Sequence, residues 1–62
     1  MLITVETAVK VRKKRAVEQL TKKDLSEKLG IKSQTLTKVE TGNYDAPRRI
    51  YQSVMDWLID DL

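Results

Sequence analysis

A chain of 62 residues has room for one domain, and a domain this short buries only about 60% of the surface its unfolded chain exposes. It contains no Cys and no His, which excludes disulfides and thiolate metal sites and removes the commonest zinc ligand and the usual general base. Charged residues make up 34% and hydrophobic residues 40%, with a net charge of +3; that balance suits a small helical protein without a cofactor, stabilised by tight packing or self-association.

Thr4 is placed to cap a first helix running to about Gln19, with Glu6 in the first turn where the helix dipole favours an anion. Ala8, Val11 and Ala16 or Val17 form a thin inner stripe, Arg15 falls on the inner side, and Lys10, Arg12, Lys13 and Lys14 cover the outside. Thr21 is an N-cap for a second helix, supported by Asp24 three residues on; Leu25 and Leu29 face inward. Gly30 stands where the helix needs a left-handed residue to stop, and Ile31 returns to the core. A third helix starts near Lys32 or Ser33 and runs to about Thr41, with Leu36 and Val39 inward and Gly42 ending it. After a turn-rich loop, Asn43-Tyr44-Asp45-Ala46-Pro47, a last helix covers about 47–60, with Pro47 in its first turn and Asp45 or Ala46 as cap.

Residues 1–62 form a single domain without linker, repeat or low-complexity segment. No apolar run approaches the roughly 18 residues needed to cross a bilayer. The start, Met1-Leu2-Ile3-Thr4-Val5, lacks the basic leader and long apolar region of a secretory signal. A cytoplasmic protein with no membrane partner and no small-molecule ligand is expected.

The second and third helices, joined at Gly30, read as a helix-turn-helix. Charge supports a polyanionic partner: residues 1–38 hold ten Lys/Arg against four Asp/Glu, a balance of +6, and residues 39–62 hold two against five, a balance of −3. The third helix presents Ser33, Gln34, Thr37 and Lys38 outward. In a major groove Gln pairs bidentately with adenine, Lys donates to guanine, and the Thr methyl meets a thymine methyl. The competing view of each residue alone is an exposed polar side chain on a surface helix. Lys22 and Lys23 open the helix that crosses the DNA backbone, although Lys23 reads equally as solvated. Arg48, Asn43 and Thr41 are candidates for phosphate or minor-groove contact, against simple loop solvation and capping. Lys32 occupies a position where a capping residue is usual; either Ser33 takes the cap or Lys32 is kept there to meet a phosphate. Arg15 and Glu40 read as a structural clamp between the first and third helices.

With these residues the chain resembles the phage Cro and repressor helix-turn-helix family. The likeness lies in Arg15, in Leu20-Thr21-Lys22-Lys23-Asp24-Leu25-Ser26-Glu27-Lys28-Leu29-Gly30-Ile31, in Thr35-Leu36-Thr37-Lys38-Val39-Glu40-Thr41-Gly42, and in Pro47, and covers residues 11–48. It implies an all-α, lambda-repressor-like bundle of four to five helices that binds operator DNA as a homodimer. By position it implies base reading by Ser33, Gln34 and Lys38, backbone or minor-groove contact by Lys22 and Arg48, and the Arg15–Glu40 clamp. Lys22 replaces a common Gln, Ser26 replaces a small Ala, and the ending around Trp57 departs from the family's.

The last helix carries two apolar rows: Ile50, Val54 and Trp57, and Tyr51, Met55, Leu58 and Leu62. A helix in a small domain needs one row for its own core. The second row, joined by Leu2 and Ile3, is the expected dimer surface, unless the Leu2-Ile3 strip covers it within one chain. A symmetric dimer suits a pseudo-palindromic double-stranded site, and repression is its simplest output. The alternative is an antitoxin or antirepressor-type protein-binding module on the same fold, using Trp57 and Leu58. Single-stranded RNA would need aromatic residues on the reading helix, which has none. Without His or Cys, and with little room for a cleft, an enzyme is not expected.

Overall fold

A computed structural model of the chain describes residues 1–60. In chain order it shows β1 (Leu2–Ile3), α1 (Val5–Val17), α2 (Lys22–Leu29), α3 (Ser33–Thr41), β2 (Tyr44–Asp45) and α4 (Arg48–Ile59). The result is a small bundle of four helices with one two-stranded antiparallel sheet, in which Leu2 faces Asp45 and Ile3 faces Tyr44. The sheet is an addition to the helical architecture expected from the sequence.

The helix starts follow local chemistry. Thr4 accepts a hydrogen bond from the Thr7 amide at 3.1 Å. Thr21 and Asp24 form a reciprocal capping box, with bonds of 3.0 and 3.2 Å. Gly30, at φ 70°, ends α2 in the left-handed region. Two boundaries differ from expectation. α1 stops at Val17 rather than near Gln19, because Gln19 takes φ 58° and turns the chain, with Leu20 N donating to Arg15 O. Pro47 occupies the N-cap position of α4 instead of its first turn. Asp45 is unavailable as that cap: it pairs with Leu2 in the sheet, and its carboxylate accepts from the Met1 ammonium at 3.0 Å.

α3 is the element to which the others are fitted. It packs on α1, α2 and β2, while α4 closes the far side against α1 and α2. Ile3, Val11, Leu25, Leu36, Val39 and Val54 are fully buried, and Ala8, Ala46, Ile50 and Trp57 complete the core. Each such large side chain contributes about 1.5–3 kcal/mol by leaving water. For α3 this fixes rotation about its own axis: turning it would expose Leu36 and Val39 together. Ser26 is buried with its hydroxyl satisfied, donating to Lys23 O at 2.8 Å.

Other placements differ from the sequence reading. Ala16 and Val17 are exposed, Val17 by 82%, since the inner side of the last turn of α1 is taken by Arg15. Lys14 does not belong to the outer cationic face. Its ammonium lies 5.0 Å over the Trp57 ring and donates to Trp57 O and Asp60 O, so it caps the C-terminal end of α4. Ile3 has no exposed surface and belongs to the core, so it cannot join a dimer surface.

Candidate nucleic-acid interface

Ser33, Gln34, Thr37 and Lys38 are all exposed. Their spacing, i, i+1, i+4 and i+5, puts them on one side of α3, opposite Leu36 and Val39. The Thr37 hydroxyl donates to Ser33 O at 3.1 Å, so its hydrogen is committed to its own helix and the group it offers outward is its methyl. Thr41, a candidate for phosphate contact or for capping, donates its hydroxyl hydrogen to Thr37 O at 2.8 Å, which leaves that hydrogen committed to its own helix. Asn43 is exposed at φ 57°, a left-handed conformation that Asn tolerates well.

The orientation of α3 is held from behind. Arg15 Nε donates to Glu40 Oε2 at 2.7 Å, Arg15 Nη2 reaches Glu40 Oε1 at 3.4 Å, and Nη1 donates to Leu20 O at 3.2 Å. Glu40 is 5% exposed and Arg15 23%. A two-point guanidinium–carboxylate contact of this kind fixes direction as well as distance. The two residues thus tie α1 to α3.

The N-termini of α1 and α2 are capped by side chains; those of α3 and α4 are not. Lys32 sits at the α3 cap with no side-chain hydrogen bond, and Ser33 is already inside the helix. Pro47 has no side chain to cap α4. Neither helix has an acidic residue in its first turn. The first amide donors and the positive dipole end of each are therefore left to solvent or to an anion. Lys22 and Lys23 are exposed in the first turn of α2, and Arg48 in that of α4.

The structure also brings together residues that are distant in sequence. An open concavity of about 540 Å³ is lined by Gly30, Ile31, Lys32 and Thr35 from the turn and α3 and by Arg49 and Ile50 from α4. Arg49 was missed by sequence reading; its place one residue after Arg48, in the first turn of a basic helix end, was the available signal. Tyr44 was missed as well. Its ring lies 5.8 Å from the Lys38 ammonium, and no local pattern links the two.

The second apolar row of α4 is only partly free. Tyr51, Met55 and Leu58 are half-buried, and Tyr51 and Leu58 lean on the core of their own chain. Leu62, the fourth residue of that row, lies outside the described residues. Trp57 is 6% exposed, so it does not offer the surface that a protein-binding module would use. The large apolar side chains that are exposed include Leu2, at 53%, and Ile59, at 78%. No helix among the described residues is long and apolar enough to cross a membrane, and no cluster of metal-ligating side chains occurs among them.

No family model, no curated protein and no solved structure matches the chain.

Proposed function

We propose that this chain is a sequence-specific double-stranded DNA-binding transcriptional regulator, a Cro-like repressor that acts in the cytoplasm on a pseudo-palindromic operator as a homodimer. One observation carries the proposal: α3 turns Ser33, Gln34, Thr37 and Lys38 to solvent while the same helix is locked by fully buried Leu36 and Val39 and by the Arg15–Glu40 pair. A rigid helix with short polar and cationic groups on its free side meets the geometric demand of a major groove. Gln34 offers a bidentate amide for adenine, Lys38 a donor for guanine, Thr37 a methyl for thymine, and Ser33 a short hydroxyl for either. Lys32, Arg48 and Arg49, beside the open N-termini of α3 and α4, and Lys22, in the first turn of α2, supply charge for the phosphates and hold the register. Self-association through Tyr51, Met55 and Leu58, extended by Leu2 and Ile59, supplies the second reading helix, and a palindromic site requires the two to lie roughly 34 Å apart, one turn of the duplex.

Selection from random duplexes at one stated salt concentration tests the proposal, with the wild type beside Gln34→Ala and Lys38→Ala. Each variant is expected to keep its fold and to lose preference at its own base step by about 1–3 kcal/mol. An unchanged preference in both variants overturns the assignment of α3 as the reading helix.

A further inference from the structure

We propose that Tyr44 is a positioning residue for Lys38: its ring holds the Lys38 ammonium at one place on the reading face and so decides which base step that ammonium addresses. The inference rests on the DNA-reading function proposed above and names a determinant of specificity that does not itself touch the DNA.

A lysine on an exposed helix has four rotatable side-chain bonds and a strongly hydrated head, so by itself it favours no single position. Lys38 makes no salt bridge among the described residues. Among the described residues, the directional contact its ammonium makes is with the Tyr44 ring, 5.8 Å from ammonium to ring centre, within the range where the negative face of an aromatic attracts a cation. At an exposed site such attraction biases the populations on the order of two- to fivefold.

The ring is a useful anchor only because it is itself held. Tyr44 pairs with Ile3 across the two-stranded sheet, and Ile3 has no exposed surface. The Tyr44 side chain is half-buried against the core. The chain reaches it through Gly42, at φ 90° and pressed on the backbone of Val5, and through Asn43, at φ 57°. These constraints leave the ring at the C-terminal end of the reading face. It borders a concavity of about 220 Å³ that Thr37, Lys38, Thr41 and Asn43 also line. The sheet thus connects buried Ile3 to the direction of one cation on α3.

Two measurements decide the matter. In the free protein, proton NMR is expected to show the Lys38 side-chain methylenes shifted upfield by the ring current. Tyr44→Phe should retain that shift, and Tyr44→Leu and Tyr44→Met should abolish it. Duplex selection is then run with the same variants and Lys38→Ala. Tyr44→Phe should keep the preference at the base step that Lys38→Ala erases. The ring-free variants should lose two- to fivefold there and nowhere else. Urea midpoints identify which ring-free variant is folded, and either one suffices. The proposal is overturned if the wild type shows no ring-current shift, if a folded ring-free variant keeps full preference, or if Tyr44→Phe loses as much as they do. A wild type that selects no sequence sinks the DNA-reading function, and with it the base-step role, even where the ring-current shift shows the pair intact.

Discussion

Replacing Arg15 with Met leaves the Glu40 carboxylate, 5% exposed, without the guanidinium that satisfies both of its oxygens. Removing one member of a buried ion pair costs about 3–5 kcal/mol, chiefly because the other charge stays buried alone. Arg15 is 23% exposed, so water already screens part of the contact and can reach the vacated space; about 2–3 kcal/mol is the expected loss. Thermal midpoints of domains this size move about 4–8 °C per kcal/mol, which puts the drop at roughly 10–20 °C. Glu40→Met is milder, about 1 kcal/mol, because Arg15 keeps its bond to Leu20 O and has access to water. Urea unfolding of both single variants and the double variant closes the cycle. The double variant should retain about 1–2 kcal/mol relative to the sum of the singles, since it buries neither charge without its partner. Additive losses, or a cost below about 0.5 kcal/mol for Arg15→Met, would show that the pair is not what holds α3 on α1.

Gly30→Ala and Gly42→Ala should separate in stability. At Gly30 the new side chain enters the left-handed region, costing about 1–2 kcal/mol, and its Cβ meets open space; Gly42, at φ 90° and ψ 176°, lies in a region essentially reserved for glycine, and its added Cβ lies 2.6 Å from Val5 Cα, so it should lose more. Equal urea midpoints would refute the close approach of α3's end to α1. Lys32→Ser should raise stability by about 0.5–1 kcal/mol by capping α3, yet weaken duplex binding, because it removes a cation and occupies an amide donor. A variant both more stable and equally tight would remove the anion site from the α3 N-terminus. Affinity should fall steeply with added salt, and Lys22→Ala or Arg48→Ala should each lower the slope of log K against log salt by about 0.9. A flat dependence in the wild type would exclude the phosphate contacts altogether.

The helices were legible because their signals are local. Thr21 with Asp24, Gly30 at a helix end, and Leu36 with Val39 at helical spacing all act within a turn or two of one another. Arg15 and Glu40 became legible as a pair through the spacing of their helices and the family likeness. What stayed hidden depends on distant chain. Strands of two residues carry no periodicity, and β1 and β2 stand some forty residues apart. Lys14 looks like its neighbours Lys13 and Arg12 until the C-terminal end of α4 is seen beside it. Tyr44 looks like loop until Ile3 fixes it in a sheet.

These hidden contacts and the broken local rules bear on the same region. α1 and α2 are capped by threonines, so the chain follows the rule for helix starts where it has structural use for it. At α3 and α4 the rule lapses, and Lys32, Arg48 and Arg49 gather where an acidic or hydroxyl residue would have stabilised the helix. Departures from local preference with no structural compensation tend to mark functional surface. The uncapped ends, their cations and the polar side of α3 are all open to solvent. Buried Leu36 and Val39 and the Arg15–Glu40 pair lie behind them. On the proposed function, that arrangement is what a DNA reader requires: a frame that holds α3 still, and free amide donors and cations where phosphates would lie.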